Sequence, residues 1–546
     1  MRHSDLDPAT PVLVGVGQYT ERIDDPGYEG LSAADLAGRA AARALEDTGA
    51  DAAAVAAAID TIAGVRQFET STPISEAPLG RADNFPRAVA QRIGADPAYA
   101  ILDVAGGQSP QALVTELAGA IAAGERDAVL VTGAEAISTA RYFADREDKP
   151  DFDETVGGQL EDRGVGLRGL VFWQTVIHGL LQAPEQYAMF ENARRTRTGL
   201  TREEYAAGMG ELFAPFSRVA AANPYSAAPT ELSAHELVTP TARNRPIVDP
   251  YPRFLVARDQ VNQGAAVLLT SVAAARRLGI PEDRWVFLRG HADLRNRDLF
   301  DRQDLSRHPV AGLAVRHALE VAGTTLDDVT ALDLYSCFPV AVSSVLDELG
   351  IAPDDSRGLT LTGGLPFFGG AGNNYSMHAI AEAVVRCRAD AGAITLVLAN
   401  GGMLSKCSVG VYAAEPAPWR PDRSAELQAE IAAWPAPEFE PHPDGWATLE
   451  TYTVQHGRDG HGPAIVIARL EDGGARVMAN PIEDDEEMFE LLAGPDPIGS
   501  RVYVRAFADR NRVATGLERM DALRPRDAEP DWSDYDRRAA EFEAIL

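Results

Sequence analysis

The sequence has few cysteines and no long apolar run. Its three cysteines, Cys337, Cys387 and Cys407, are not spaced like the ligands of a zinc site or the partners of a disulfide framework. No apolar stretch reaches the roughly 18–20 residues that a membrane-spanning helix needs, and the polar N-terminus has no apolar signal-peptide core. These absences predict a reduced cytoplasmic protein with no membrane span and no metal site.

Positive charge is also scarce. The chain has 50 Lys and Arg against 81 Asp and Glu, a formal net charge of −31. Such a surface repels nucleic acids and anionic membranes, so we expect general binding to neither. An anionic small ligand would need a local basic patch or the N-termini of helices. With 546 residues the chain is too long for one hydrophobic core, and we expect two to four domains.

Strand-like and helix-like segments alternate in the N-terminal part of the chain. Such alternation predicts a mainly parallel sheet covered by helices. The predicted strands are Pro11 to Val16, Ile59 to Val65, Ala100 to Val104 and Ala128 to Thr132, and the predicted helices are Ala33 to Thr48 and Pro110 to Ala123.

A short internal repeat indicates a duplication. The segment from Arg43 to Gly49, Arg-Ala-Leu-Glu-Asp-Thr-Gly, is echoed by His-Ala-Leu-Glu-Val-Ala-Gly from His317 to Gly323. Each copy is followed by a valine and then by an apolar strand that carries an aspartate, Asp60 or Asp333. Two copies of one α/β unit explain this order better than a single large sheet.

Residues 139–244 depart from the alternation, because they are helical in pattern and rich in Arg and aromatic residues. Capping-box spacings begin at Thr201 and Ser233, so we predict a helical insertion. Three arginines there lie together and are candidates for phosphate contacts, although they could equally form a solvated helix face. They are Arg194, Arg195 and Arg197.

The composition changes again after Glu415. Prolines mark a linker over residues 416–445, and short alternating strand-like runs separated by turns follow over residues 446–520. They predict a small antiparallel barrel or sandwich, and an OB-like barrel is our first choice. The acidic run from Glu483 to Glu487 argues against the nucleic-acid binding found in many OB folds. Residues 521–546 are polar and predict a surface tail.

Two regions resemble the thiolase superfamily. Asp103 to Glu135 resembles the nucleophile loop, helix and following strand of that family, and Ala331 to Tyr412 resembles the region with its remaining catalytic motifs. Together with Pro11 to Val16 and Tyr251 to Leu269, the resemblance covers about residues 8–415.

The resemblance implies a fold and a ligand class. It implies a duplicated α/β thiolase fold of two βαβαβαββ halves in αβαβα layers, residues 8–285 and 286–415, with the helical loop insertion in the first half. The all-β OB-like domain follows. It also implies that the protein binds coenzyme A (CoA) or an acyl-CoA thioester, as members of the family do.

The family nucleophile is a cysteine at a helix N-terminus, where the helix dipole lowers its pKa. The matching run here is Gly106-Gly107-Gln108-Ser109-Pro110, and counting back from Gly124 puts Gly107 in the place of the cysteine. Glycine carries no nucleophile. Ser109 precedes a proline, as a helix N-cap does, so we interpret it as a cap and not as a substitute nucleophile.

Two further reactive positions of the family are also replaced. In the stretch that matches Gly-His-Pro, Gly370 stands where the activating histidine would be, after Gly369. His378 follows on the next predicted helix, as a candidate acid–base group or a buried structural histidine. Ala399 holds the place of the second cysteine and is followed by Asn400, Gly401 and Gly402.

The fourth motif keeps a functional group. It is Asn-Glu-Ala-Phe in thiolases and His-Asp-Cys-Phe in the sterol-carrier branch, and here it reads Tyr335-Ser336-Cys337-Phe338. In thiolase-like steroid side-chain retro-aldolases, which work with an OB-fold partner, a tyrosine takes the place that Tyr335 holds. The run from Asn373 to His378 echoes that branch, although its tyrosine matches Ser376 and not Tyr375. A phenol can act as a general acid or base.

Three functional hypotheses follow, because the loss of three reactive groups together implies that Cys–His–Cys chemistry has gone. The first is a CoA-thioester-binding protein of lipid, fatty-acid or sterol metabolism, similar to the type-1 thiolase-like proteins of actinobacteria. The second is a retro-aldolase or other C–C lyase that uses Tyr335, and the third is an acetyl-CoA acyltransferase whose motifs lie elsewhere. Thiolases pair their sheets edge to edge, and the sequence leaves monomer and homodimer open.

The candidate residues fall into two groups. The candidate catalytic residues are Tyr335, Tyr375 and His378. The candidate ligand-binding residues are Gly107, Ser109, Ser336, Cys337, Gly369, Gly370, Asn373, Asn374, Asn400, Gly401, Gly402, Arg194, Arg195 and Arg197.

Overall fold

The computed structural model describes residues 3–167, 170–457, 460–526 and 530–545. Two sheets, one from each half of the α/β region, and a C-terminal barrel make up its β-structure. Within the described residues, no helix is both long and apolar enough to cross a membrane.

The N-terminal half and its insertion contain β1 (Pro11–Thr20), α1 (Ala33–Asp47), α2 (Ala52–Ala58), β2 (Thr61–Gly64), α3 (Phe85–Arg92), β3 (Tyr99–Leu102), α4 (Ser109–Ala122), β4 (Ala128–Ala136), α5 (Ile137–Phe143), β5 (Glu161–Asp162), α6 (Trp173–Ile177), α7 (Ala183–Thr198), α8 (Arg202–Ala222), α9 (Ala234–Val238), β6 (Pro246–Val248), β7 (Tyr251–Pro252), β8 (Asn262–Ser271) and α10 (Val272–Arg277). Six strands form one mixed sheet in the order β1-β8-β4-β2-β3-β5. The four strands from β4 to β5 are parallel, and β8 is antiparallel to both β1 and β4.

The C-terminal half contains β9 (Phe287–Arg295), α11 (Pro309–Ala322), β10 (Ala331–Leu334), α12 (Pro339–Leu349), α13 (Tyr375–Ala389), β11 (Ile394–Gly401) and β12 (Lys406–Ala413). Its sheet has four strands, in the order β10-β11-β12-β9. The βαβαβαββ pattern expected from the sequence would give five strands. Residues 350–371, between α12 and α13, instead form turns and irregular loops, and these loops carry part of the candidate site.

Helix-on-strand packing recurs in the two halves. The repeated sequence segments end α1 and α11, and Gly49 and Gly323, which follow these helices, have positive φ angles of 71° and 66°. A Cβ on Gly17 of β1 would lie 2.0 Å from the carbonyl oxygen of Ala40 in α1. A Cβ on Gly290 of β9 would likewise lie 2.0 Å from the backbone oxygen of a residue in α11. Glycine therefore allows the same close approach of helix and strand in each half.

The C-terminal elements are α14 (Ser424–Ala432), β13 (Asp444–Gly457), β14 (Gly460–Leu470), β15 (Arg476–Pro481), α15 (Glu486–Ala493), β16 (Arg501–Ala506), β17 (Asn511–Ala514), α16 (Leu517–Leu523) and α17 (Ser533–Ile545). Five strands close a small barrel in the order β13-β14-β15-β17-β16, with β16 returning to β13. This is the strand number of an OB fold. The predicted linker contains α14, and the predicted tail contains α17. Residues 527–529 and 546 of that tail lie outside the described residues.

The barrel is joined to the α/β region by a shared sheet and by hydrogen bonds from a buried arginine. Val248 of β6 pairs with Gln455 of β13, so the β6–β7 hairpin extends the barrel sheet to seven strands. This hairpin continues the insertion beyond the predicted residues 139–244. The guanidinium of Arg476, fully buried, pairs with Glu450 at 2.6 Å and donates to the carbonyl oxygen of Phe300 at 2.7 Å. The barrel is thus packed on the insertion and on the C-terminal half.

Candidate functional site

The hydroxyl of Tyr335 occupies the space next to Gly107. A Cβ built on Gly107 would lie 2.2 Å from the phenolic oxygen of Tyr335 and 2.6 Å from the carbonyl oxygen of Asn400. Both distances are shorter than real Cβ atoms tolerate. The position that matches the family nucleophile therefore has no room for a side chain while Tyr335 lies there.

Tyr335 and Tyr375 form an aromatic pair. Tyr335 directly follows β10, and Tyr375 is the first residue of α13. Their ring centroids are 5.4 Å apart and the rings are nearly perpendicular, at 87°. Burial raises the pKa of both phenols above the usual value for tyrosine. Both side chains are therefore neutral at physiological pH and can donate hydrogen bonds.

A hydrogen-bonded path leads from Tyr375 to a buried carboxylate. Asp333 accepts hydrogen bonds from the backbone N–H groups of Leu361 and Thr362 at 2.8 and 3.0 Å. It also accepts from the hydroxyls of Thr362 at 3.0 Å and Thr360 at 3.2 Å. Burial raises the pKa of Asp333 to about 6, so the group is mostly ionised at neutral pH. Thr362 then donates its single hydroxyl proton to Asp333. The Thr362 oxygen can therefore only accept from Tyr375, and the phenol of Tyr375 is the donor.

Asn373 holds the loop that matches the nucleophile loop. The backbone N–H of Gly106 donates to Oδ1 of Asn373 at 2.9 Å. Nδ2 of Asn373 in turn donates to the carbonyl oxygen of Arg66 at 2.7 Å and to the hydroxyl of Ser71 at 2.9 Å. The Ser376 hydroxyl donates to the carbonyl oxygen of Gly107 in the same loop at 2.6 Å. The amide of Asn373, predicted to bind ligand, is thus used to position the loop.

Ser109 differs from its predicted role as a helix cap. It is the first residue of α4, and Gln108 takes the N-cap position without a side-chain cap bond. The Ser109 hydroxyl is fully buried and donates to Asp103. This bond joins the two ends of the loop. The helix can start one residue earlier than predicted because proline fits the second helical position as well as the first.

Asn374 lies beside the same loop, at the start of α13. Its Nδ2 donates to the carbonyl oxygen of Gly133 in β4 at 2.7 Å. Its Oδ1 is buried and has no hydrogen-bond partner among the described residues. A ligand donor would satisfy this oxygen.

Tyr187, from the insertion, completes one wall of the site and was not predicted. Nδ2 of Asn400 donates to the phenolic oxygen of Tyr187 at 2.7 Å, and that phenol donates to the carbonyl oxygen of Gly402 at 2.6 Å. The Tyr187 ring stacks on Phe338 with centroids 4.6 Å apart. A Cβ on Gly401 would lie 2.0 Å from Oε1 of Gln108, so this turn needs glycine to approach the loop.

His378 contacts Gln18 and Phe368, and not Tyr335 or Tyr375. Its Nδ1 is 2.7 Å from Oε1 of Gln18, and its ring makes an edge contact with Phe368 at 5.0 Å. Burial lowers the pKa of His378 to about 3, so the ring is neutral at physiological pH. Gly369 and Gly370 border this region. A Cβ on Gly369 would lie 2.5 Å from a glutamine side chain, and one on Gly370 would lie 3.1 Å from a backbone oxygen.

All three cysteines are free and buried. Cys337 is next to Tyr187, and burial raises the pKa of its thiol to about 12. Burial also raises the pKa of Cys407 to about 12, with its sulfur 3.4 Å from Nε2 of His308. The thiols are therefore protonated at neutral pH, in contrast to an activated nucleophile. Ser336, next to Cys337, is fully buried.

A cavity of about 380 Å³, which we call the arginine groove, borders the glycine-rich loop, residues 363–371, between α12 and α13. Its wall includes Arg141, Arg243, Arg253 and Arg258, together with apolar residues of the insertion and of the loop. Arg141 pairs with an aspartate at 2.6 Å, whereas the other three arginines have no carboxylate partner among the described residues. The backbone N–H of Gly370 donates to the carbonyl oxygen of Arg258 at 2.7 Å, which joins the groove to the site.

The arginines predicted to contact phosphate lie elsewhere, in α7. Arg194 pairs with Asp347 at 2.8 Å, and Arg197 pairs with the same carboxylate. Arg195 is buried and lies 3.5 Å from Asp496. Arg194 and Arg197 thus share one carboxylate, and the phosphate role of the three arginines remains an untested prediction.

Comparisons with known proteins identify the family of the chain and of its C-terminal domain. Residues 426–508 match the family described as "Thiolase-like protein type 1 additional C-terminal domain". The chain is similar to a monomeric SCP2-thiolase-like protein type 1 from Mycobacterium smegmatis, with 50% identity and a TM-score of 0.80 over 93% of this chain and 99% of the other. No curated protein matches the sequence.

More distant structures share the fold alone. One is the Ltp2-ChsH2(DUF35) aldolase, with 21% identity and a TM-score of 0.53 over 74% of this chain and 98% of the other. Another is an acetyl-CoA acetyltransferase from Syntrophomonas wolfei, with 17% identity and a TM-score of 0.51 over 74% and 99%. The identity and coverage of the mycobacterial structure decide the family. This chain belongs to the SCP2-thiolase-like proteins of type 1, in the thiolase superfamily, and carries their additional C-terminal domain.

Proposed function

We propose that this chain binds CoA or an acyl-CoA thioester without Cys–His–Cys thiolase chemistry. The observation that carries the proposal is the contact between Tyr335 and Gly107: a phenol fills the place that a nucleophilic side chain would need. The polar group beside the loop is the Tyr335 hydroxyl, which is a neutral hydrogen-bond donor and not a nucleophile.

The arginine groove suits the phosphate end of CoA. Arg243, Arg253 and Arg258 have no carboxylate partner among the described residues, in a chain whose net charge is −31. Desolvation and the neighbouring Arg253 lower the pKa of Arg258 and outweigh the opposite effect of Asp259, which also lines the groove and pairs with Arg141. Phosphate oxygens would relieve this repulsion through charge-assisted hydrogen bonds.

The thioester end would lie toward Tyr335. The bond between Gly370 and Arg258 connects the groove with the glycine-rich loop, and the raised pKa of Tyr335 keeps its phenol proton available. A neutral phenol can donate a hydrogen bond to a thioester carbonyl oxygen. The family resemblance favours an acyl group from lipid, fatty-acid or sterol metabolism.

A panel of ligands tests the proposal in the full chain. CoA, acetyl-CoA, a long-chain acyl-CoA and a steroid CoA ester should raise the melting temperature, since a ligand that binds only the folded state stabilises it. Acetoacetyl-CoA should bind without thiolysis. The Arg243→Gln/Arg258→Gln variant should lose most of the shift. Arg218→Gln is the matched control, because Arg218 is exposed and paired with Glu231. No shift with any of the four ligands would refute the proposal.

A tyrosine-dependent C–C lyase is a second candidate, favoured by the path from Tyr375 to Asp333. In a retro-aldol step, a β-hydroxyacyl thioester loses its hydroxyl proton, its Cα–Cβ bond breaks, and a carbonyl compound and a thioester enolate form. The enolate carbon then takes up a proton. The hydroxyl proton would pass through Tyr375 and Thr362 to Asp333 and return by the same path to the enolate carbon, while Tyr335 would donate a hydrogen bond to the thioester carbonyl oxygen.

Cleavage of a β-hydroxyacyl-CoA separates this candidate from simple binding. Release of the carbonyl product by the wild-type chain, abolished in Tyr335→Phe with CoA binding retained, would support a lyase. An acyltransferase would need a nucleophilic cysteine at the thioester, and the raised thiol pKa of Cys337 gives that third reading no support.

We also propose that the chain is a cytoplasmic monomer. Its cysteines are free and buried, as suits a reducing compartment. β5 covers the outer edge of β3, with Ile101 opposite Glu161 and Leu102 opposite Asp162, so this edge is not free to pair with a second copy.

A further inference from the structure

A second cleft lies between the insertion and the C-terminal barrel. Its volume is about 720 Å³, within the range of roughly 300–1,000 Å³ that small-molecule sites have. The cleft has one wall from residues 242–249 of the insertion, and the other from β13 and α15 of the barrel. It exists because the additional domain packs on the insertion.

The walls of this cleft are mainly apolar. Leu492 and Val454 are buried at its floor, and Phe489 and Ala493 line its side. Pro246 closes it from the insertion. A hydrocarbon chain would be removed from water against these side chains, which contributes about 25 cal/mol for each Å² of apolar surface buried.

Arg245 brings a positive charge to the rim of the cleft. Arg202 and Asp249 neutralise each other, because one guanidinium nitrogen lies 3.0 Å from both carboxylate oxygens. Arg245 is exposed at the rim and donates only to carbonyl oxygens, those of Pro246 at 3.1 Å and His456 at 3.4 Å. Among the described residues no carboxylate pairs with it. The cleft therefore combines an apolar interior with a guanidinium at its rim that makes no ion pair with the described carboxylates.

We propose that this cleft binds an apolar carboxylate, of the class of medium-chain fatty acids. The carboxylate lies on the guanidinium of Arg245, and the hydrocarbon chain lies between β13 and α15. One guanidinium matches one carboxylate in charge and in its paired hydrogen-bond geometry. The additional domain thereby gains a ligand-binding role separate from the arginine groove.

The two sites lie on opposite sides of one short stretch of chain. Arg243, Ile247 and Arg253 line the arginine groove, whereas Arg245, Pro246 and Asp249 line the cleft. Residues 242–244 form a bend, so Arg243 and Arg245 line different cavities, whereas in a regular strand they would share one face. Arg243 and Arg245 are therefore a matched pair for separating the two ligands.

Calorimetric titration of the full chain with decanoate, below its micellar concentration, tests the proposal. Decanoate should bind, and decanol, which has the same chain but no charge, should bind at least about tenfold more weakly. Arg245→Gln should weaken decanoate binding by a similar factor. Ala493→Phe should fill the cleft and prevent binding, while its exposed position leaves the fold intact. Arg243→Gln should bind decanoate like the wild type.

The same variants, titrated with CoA, keep this proposal distinct from the proposed function. Arg243→Gln should weaken CoA binding, and Arg245→Gln should not. Absence of decanoate binding, equal affinity for decanol, or unchanged affinity in Arg245→Gln would overturn the cleft assignment, whatever the result with CoA.

Discussion

The phenolic oxygen of Tyr335 stands 2.2 Å from the point where a Cβ on Gly107 would lie. The two residues therefore depend on each other: the tyrosine fits because position 107 is glycine, and position 107 must remain glycine while the tyrosine is there. The absent nucleophile and the new phenol are parts of one arrangement.

This dependence predicts coupled mutational effects. Gly107→Ala should destabilise the protein by about 1–3 kcal/mol, the usual cost of overpacking. Tyr335→Ala should relieve part of that cost, but not all, because the carbonyl oxygen of Asn400 remains 2.6 Å away. Urea unfolding of the two single variants and the double variant measures the coupling. Strictly additive free energies of unfolding would contradict the contact.

Cysteine at position 107 should not restore thiolase activity. Gly107→Cys meets the same phenol, and Gly370 supplies no histidine to activate a thiol. Thiolysis of acetoacetyl-CoA by this variant should stay at background. Activity above that of the wild type would show that the frame retains more of the family chemistry than we infer.

Buried His378 predicts an acid-sensitive fold. Its pKa is lowered to about 3, while in the unfolded chain it is about 6.5. Between these values the unfolded state binds the proton and the folded state does not. The free energy of unfolding should therefore fall by about 1.4 kcal/mol for each pH unit as the pH drops below 6.5.

The variant His378→Gln isolates this contribution. Its free energy of unfolding, measured from pH 7 to pH 5, should decline less steeply than that of the wild type. The difference in slope should approach about 1.4 kcal/mol per pH unit, which corresponds to one proton. His235 is exposed, so His235→Gln should leave the slope unchanged. An unchanged slope in His378→Gln would show that His378 takes up a proton in the folded state.

The covered edge of β3 predicts a monomer that can be converted into a dimer. Light scattering after size exclusion should give the mass of a single chain. Replacing Glu161 and Asp162 by proline removes β5 and leaves the edge of β3 open to pair with another copy. The same replacement at exposed Glu147 and Asp148 is the control. A wild-type dimer would refute the role of β5.

Local patterns predicted the core elements of the α/β region well. The predicted helix from Pro110 to Ala123 and the predicted strand from Ala128 to Thr132 correspond to α4 and β4. Both lie in the core of the protein, where apolar spacing determines secondary structure most strongly. The motif positions at Gly107, Tyr335 and Asn400 also converge in space, as the family resemblance implied.

Contacts distant in sequence could not be predicted. Tyr187 reaches Asn400 from a helix more than 200 residues earlier, and no motif marks it. The sequence does not indicate an acidic partner for the arginines from Arg194 to Arg197, but Arg194 pairs with Asp347 in the C-terminal half of the α/β region. Such pairings depend on how elements pack, and a one-dimensional pattern does not contain that information.

A crystal structure of the chain with a bound acyl-CoA tests the central claim most directly. We predict the phosphates on Arg243 and Arg258, the thioester carbonyl within hydrogen-bonding distance of the Tyr335 hydroxyl, and no thiol at the thioester carbon. A cysteine sulfur placed to attack that carbon, or an acyl-CoA bound away from both Tyr335 and the arginine groove, would contradict the account.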